Sequence, residues 1–331
     1  MSKKYDVCAI GNALVDYEIE VEDQFFAENQ VEKGLMTLVD EERQAQLLNE
    51  VQGKVRKKQG GGSAANTIFG LSLFGGKGYY TCKVANDEDG QLYVNDLNES
   101  GIDSNLNGNP LHVGTTGKCL VMITPDAERT MNTFLGITSD LSEKELDAQA
   151  IKDSNYIFLE GFLVSSPTGL VAMKEAKRFA NENDTKVSLT FSDPSMVKYF
   201  RDQMIDVVGD GVDLLFCNIE EAELFTGEEG LENVKKALEK VAKQFVITFS
   251  EKGSLVYDGS NYINIQPFPT KAVDSTGAGD MFAGAFLYAI NNGHSYEGAG
   301  TLASAASSAV VGKYGPRLKK ELVDQILNKV R

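Results

Sequence analysis

Two glycine-rich stretches carry the residue types best suited to chemistry. Residues 272–287 read AVDSTGAGDMFAGAFL. A β-type approach meets the turn Gly277-Ala278-Gly279, and an apolar helical pattern begins near Asp280. Small residues in succession let backbone N–H groups point at one spot, and the helix adds its positive dipole end. Such a turn suits a phosphoryl group, whose charge spreads during transfer. Asp280, at the mouth of the turn, can take the proton of an attacking hydroxyl. The competing reading makes Asp280 a helix cap and the glycines a tight turn.

The second stretch is Gly60-Gly61-Gly62-Ser63-Ala64-Ala65-Asn66-Thr67. Glycines admit close approach of backbone to a ligand, and Ser63-Ala64-Ala65 opens a helix. Asn66 then lies one turn inside it, with an amide that both donates to and accepts from sugar hydroxyls. A flexible loop before a helix is the plainer alternative. Two familiar nucleotide motifs are excluded. Gly117-Lys118 is followed by Cys119, so there is no P-loop, and Gly11 leads into Asn12-Ala13-Leu14 with no G-x-G-x-x-G.

These turns need a scaffold. Short apolar runs at 5–10, 156–159, 187–191, 214–217 and 245–249 read as buried strands. Helical patterns at 167–183 and 229–243 separate the later ones, which predicts βα units and a mainly parallel sheet covered on both faces. Residues 17–21, 35–39, 118–124 and 129–134 break the rhythm and predict a small β lid, with a turn at Pro125–Glu128. The expected large unit comprises 1–16, 44–110 and 136–331, and the lid 17–43 and 111–135.

Composition narrows the class. The 331 residues carry 32 Lys and Arg against 48 Asp and Glu, a net charge of −16. That balance disfavours nucleic-acid binding and anionic lipid. Four scattered cysteines and two histidines build neither a disulfide scaffold nor a multi-histidine metal site. With no signal-like N-terminus and no apolar run long enough to span a bilayer, a cytoplasmic protein is expected.

The two glycine motifs, in this order and 215 positions apart, resemble the signatures of the ribokinase-like (PfkB) family of carbohydrate and nucleoside kinases. The resemblance spans essentially the whole chain. It implies a three-layer α/β/α domain with a lid, with ATP and magnesium as cofactors. Asp280 falls at the catalytic-base position, and the amides of Gly277, Ala278 and Gly279 at the anion site. Asn218-Ile219-Glu220-Glu221 matches the N-x-x-E element that orders magnesium and its waters, although a solvated acidic helix start would look the same. Thr248 and Gly253 match the nucleotide loop T-x-G-x-x-G, in which Ser250 replaces the usual middle glycine. Gly315, with Asp274 and Thr276, corresponds to positions near a monovalent-cation site in some relatives, which leaves potassium open.

Three details resemble the adenosine kinases of the family, bacterial ones in particular. They are Gly11-Asn12-x-x-x-Asp16, the GGSAAN form of the first signature, and the segment TPDAERTMNTFLG at 124–136. By that resemblance Asn12, Asp16, Gly61, Gly62, Ser63 and Asn66 hold the acceptor, Arg129 meets the transferring phosphate, and Phe162 walls the base. Helix 299–311 would pack beneath the adenine. A turn carboxylate, a solvated arginine and a core phenylalanine are the plainer roles for Asp16, Arg129 and Phe162. The implied reaction is phosphorylation of the 5′-hydroxyl of a ribonucleoside, adenosine first, by a monomer or homodimer. A kinase of ribose, fructose or a deoxygluconate is the alternative, and a non-catalytic nucleoside or sugar sensor a further one.

Overall fold

The computed structural model describes residues 3–126 and 128–330; Met1, Ser2, Arg331 and, in the expected turn at 125–128, Ala127 lie outside them. Nine strands form the larger sheet. From one edge to the other they start at Tyr262, Ser254, Ala242, Val212, Lys186, Ser154, Tyr5, Gly78 and Asp103. All neighbours are parallel except at the Ser254 strand, which pairs antiparallel on both sides.

The strand Tyr5–Ile10 shows why helices cover both faces. Val7 and Ala9 enter one core with Phe282, Phe286 and Ala303, from helices 278–291 and 296–311. Cys8 and Ile10 enter the other with Ala172, Met173 and Met204, from helices 167–182 and 201–208. A strand buried on both sides must be apolar throughout, so YDVCAI reads as one run. The helical pattern at 229–243 is shorter than expected: the helix closes at Leu238 and residues 242–248 form the next strand.

The smaller sheet has five strands, in the order 36–38, 129–134, 117–123, 14–20 and 55–61. Its last member corrects the expected boundary for one strand, because Val55–Gly61, expected in the large unit, pairs along the whole of Leu14–Ile19. Its sequence, VRKKQGG, hides it: an edge strand wants charge on its exposed side, and four of its seven residues are exposed or half-exposed. Asp89, buried on the helix Glu88–Glu99, fastens three of these strands. It accepts from Tyr17 Oη at 2.7 and 2.9 Å and faces the ammonium groups of Lys118 at 3.1 Å and Lys58 at 3.6 Å. Among the described residues no helix is long and apolar enough to cross a membrane.

Candidate active site

The strand ends of the larger sheet and one face of the smaller sheet enclose a cavity of about 1120 Å³. A cleft outside the carboxyl ends of parallel strands is where such sheets bind ligands. Asp280 lies between its two halves. Gly277, at φ +74°, is the N-cap of the helix Ala278–Asn291, so Asp280 sits in the first turn and does not cap it. Its carboxylate reaches across to the helix Ser63–Phe74, accepting from Ser63 Oγ at 2.6 Å and Asn66 Nδ2 at 3.2 Å. Burial lifts its pKa to about 6, against the pull of those two donors.

The turn before this helix is tight for a visible reason. A Cβ on Gly277 would collide with Pro316. The Ala278 amide donates to the Ser275 carbonyl at 3.2 Å, while those of Gly277 and Gly279 have no acceptor among the described residues. Nothing stands within 4 Å of a Cβ built on Gly279. The result is an open cradle of N–H groups at a helix start.

On the acceptor side Asn12, Asp16, Gly62, Ser63, Asn66 and Phe162 all line the cavity. Gly62, at φ +105°, has no room for a Cβ against the Asn12 carbonyl. Gly61 is not a lining residue; it is buried behind the turn, where Tyr93 Oη donates to its carbonyl at 2.9 Å. Asn66 is 7% exposed and its Oδ1 has no partner in the chain. A buried carbonyl oxygen left unsatisfied is a standing acceptor for a ligand hydroxyl. Burial also raises Asp16 to about 7, with Glu18 and Asp280 adding to the rise and Arg317 and Arg129 opposing it.

Sequence reasoning missed Glu160. It ends the strand Ser154–Glu160 at 1% exposure and accepts from the Asn12 N–H at 3.2 Å, Asn12 Nδ2 at 2.8 Å and the Ala64 N–H at 2.7 Å. It therefore ties the first strand to the acceptor helix. A lone acid closing the apolar run YIFLE was the available signal. Ser192 was also missed: it lines the cavity at φ +71° with its hydroxyl unpartnered, a combination no local pattern announces.

At the nucleotide end, Asn218, Glu221, Thr248, Ser250 and Gly253 line the cavity together with Ser304, Ser307 and Ser308 of the helix Tyr296–Val311. Asn218 and Glu221 form a reciprocal capping box, Glu221 accepting from Asn218 N and Nδ2 at 2.9 and 2.8 Å. Glu221 is 4% exposed, so the solvated acidic helix start is not what forms. Burial, with Asp193 and Glu220 nearby, lifts its carboxyl to about 7. No cluster of three or more metal-type ligands occurs among the described residues.

Gly315 and Arg129 also stand differently from expectation. Gly315 does not line the cavity; its N–H donates to Oδ2 of Asp274 at 2.8 Å from behind. Arg129 lines the cavity, yet its Nη2 lies 2.9 Å from the same Asp274 oxygen, with both side chains under 10% exposed. The arginine joins the smaller sheet to the approach of the glycine turn.

A family model described as pfkB family carbohydrate kinase matches residues 35–321. The chain belongs to the PfkB family. Kinases of this family phosphorylate an alcohol group of a sugar or nucleoside and use ATP with magnesium. An adenosine kinase from Sinorhizobium meliloti shares 32% identity with this PfkB-family chain at TM-score 0.89, covering 98% of this chain and 99% of that one. A probable sugar kinase protein from Rhizobium etli shares 31% at the same TM-score, covering 99% of both. A 5-dehydro-2-deoxygluconokinase of Clostridium botulinum is 32% identical over 254 residues, 71% of this chain and 73% of its own length.

Proposed function

We propose that this chain transfers the γ-phosphoryl group of ATP to the 5′-hydroxyl of a ribonucleoside, adenosine foremost, giving AMP and ADP. The observation that carries the reading is Asp280, a recessed carboxylate held between the acceptor helix and the open amide cradle of Gly277 and Gly279. In this reading Asp16, Asn66 and the Gly62 turn grip the ribose hydroxyls. The attacking oxygen is left against Asp280, which takes its proton as the bond to phosphorus forms. The cradle amides and Arg129 offset charge on the transferring group.

Magnesium, held through water at Glu221 and Asn218, would neutralise the nucleotide phosphates. Thr248 and Gly253 would border the nucleotide. Potassium has no place in this scheme, because the Arg129 guanidinium already sits on Asp274.

Adenosine is preferred to a free sugar for what faces the acceptor. Phe162, Met131, Val121 and Leu135 give the cavity apolar walls, which suit a planar base. The S. meliloti adenosine kinase agrees with that choice. The C. botulinum relative favours a second reading, a kinase of 5-dehydro-2-deoxygluconate. ATP-dependent phosphorylation measured across nucleosides and free sugars decides between them.

A further inference from the structure

Residues 315–317 touch both glycine turns. Asp274 receives the Gly315 N–H through one oxygen at 2.8 Å and the Thr276 N–H through the other at 3.0 Å, which fixes the approach to Gly277. Pro316 fills the space beside Gly277. Arg317, next in the chain, turns the other way. Its Nη1 donates to both oxygens of Asp96 at 2.9 and 2.8 Å, and its Nη2 donates to the Gly60 carbonyl. Asp96 also accepts the Gly60 N–H at 2.8 Å. The guanidinium carbon lies 3.3 Å from the centroid of the Phe69 ring.

Gly60 precedes the acceptor turn and Phe69 stands in the helix that follows it. One guanidinium thus holds both ends of residues 61–66. Neither Arg317 nor Asp96 lines the main cavity; both face a separate groove behind it.

We infer that Gly315-Pro316-Arg317 is a clip coupling the phosphate cradle to the acceptor turn, with Arg317 as its positioning residue. The inference rests on the reading of those two turns given above. Ordering the cradle around a nucleotide steadies 315–317, and through Arg317 the acceptor turn, so the second ligand meets a turn already set. By reciprocity the acceptor favours the nucleotide equally. A planar fork that also stacks on an aromatic ring can hold these partners together, whereas a lysine ammonium cannot.

The test measures adenosine affinity with and without magnesium and a non-hydrolysable ATP analogue, together with amide hydrogen exchange. In the wild type the analogue should tighten adenosine binding about fivefold or more, and Arg317→Lys should reduce that factor to below about twofold. Affinity for the analogue alone should stay within about twofold. The analogue alone should slow exchange at 61–66 in the wild type but not in Arg317→Lys. Asp96→Asn carries the same expectation should that variant fail to fold.

A merely structural arginine would lower the melting temperature and leave the coupling factor intact, and that result overturns the clip. Wild type that binds no adenosine overturns the acceptor assignment, while the exchange measurement, needing only nucleotide, still decides the clip. An analogue that protects neither 276–281 nor 61–66 in the wild type removes the cradle and the clip together.

Discussion

Ser63 donates its hydroxyl hydrogen to Oδ1 of Asp280 at 2.6 Å, joining the first turns of two helices 217 positions apart. The bond holds the carboxylate away from its own helix, whose cap is Gly277. Asp280 is therefore free of the structural task that a first-turn acid often performs.

That separation makes Asp280→Asn informative. Loss of the base should lower kcat by about 10²–10⁴-fold, with acceptor affinity within a few-fold. Helix stability should barely change, since no cap is lost. Near-normal turnover would remove Asp280 from the mechanism; kcat, acceptor binding and melting temperature on one variant suffice.

Acidity should move activity and stability in opposite directions. The base role proposed for Asp280 needs it unprotonated, so with its pKa raised to about 6, kcat/KM should fall as pH drops through 6. Asp16, Glu160 and Glu221 are likewise raised, each to about 7. A carboxyl whose folded value exceeds its unfolded value of about 4 favours folding below that value, and the benefit is lost as pH rises through 6 to 7. The ligand-free protein should melt higher at pH 5.5 than at pH 8. A melting temperature that falls on acidification over that window would contradict it.

Adenosine should be phosphorylated with far higher kcat/KM than ribose, fructose or 5-dehydro-2-deoxygluconate. Superior turnover of the deoxygluconate would move the assignment to the sugar branch and leave the kinase standing. A coupled ADP-release assay with each acceptor reads this directly.

Removing the guanidinium from the Arg129–Asp274 pair strands a buried carboxylate. Arg129→Gln should cost about 3 kcal/mol of stability, and adding Asp274→Asn should recover part of it. Denaturant unfolding of the single and double variants measures the cycle. Additive losses would show that the two side chains do not interact.

Ser250 holds φ +54°, where the resembled nucleotide loop carries glycine. A side chain in that region costs roughly 1–2 kcal/mol, against about 0.5–1 kcal/mol for the greater unfolded freedom of glycine. Ser250→Gly should stabilise the protein by about 0.5–1 kcal/mol, and Ser250→Ala should not. Equal stability of the two variants would show the backbone there to be unstrained.

Five of the nine strands of the larger sheet were legible because they are buried on both faces and read as apolar runs, each lying in a strand or within one residue of its ends. The two glycine turns were legible for a different reason, since little else satisfies positive φ and missing Cβ space. Val55–Gly61 escaped because three cationic residues on an exposed edge look like a loop. Gly315 was given a ligand-side place, whereas its work is to hold Asp274 from behind. Arg317 escaped altogether, because its partners Gly60 and Asp96 lie more than 200 positions away and no spacing rule reaches that far.

The smaller sheet pairs Leu14 in parallel with Gly117, and Val55–Gly61 hangs from that same first strand. During synthesis the early strand must therefore wait for a partner 103 residues later, on the order of 5–20 s at ordinary elongation rates. Its edge toward Gly117–Ile123 stays unpaired over that interval. Slowed elongation before residue 117 would lengthen the time for which this edge is open to other chains.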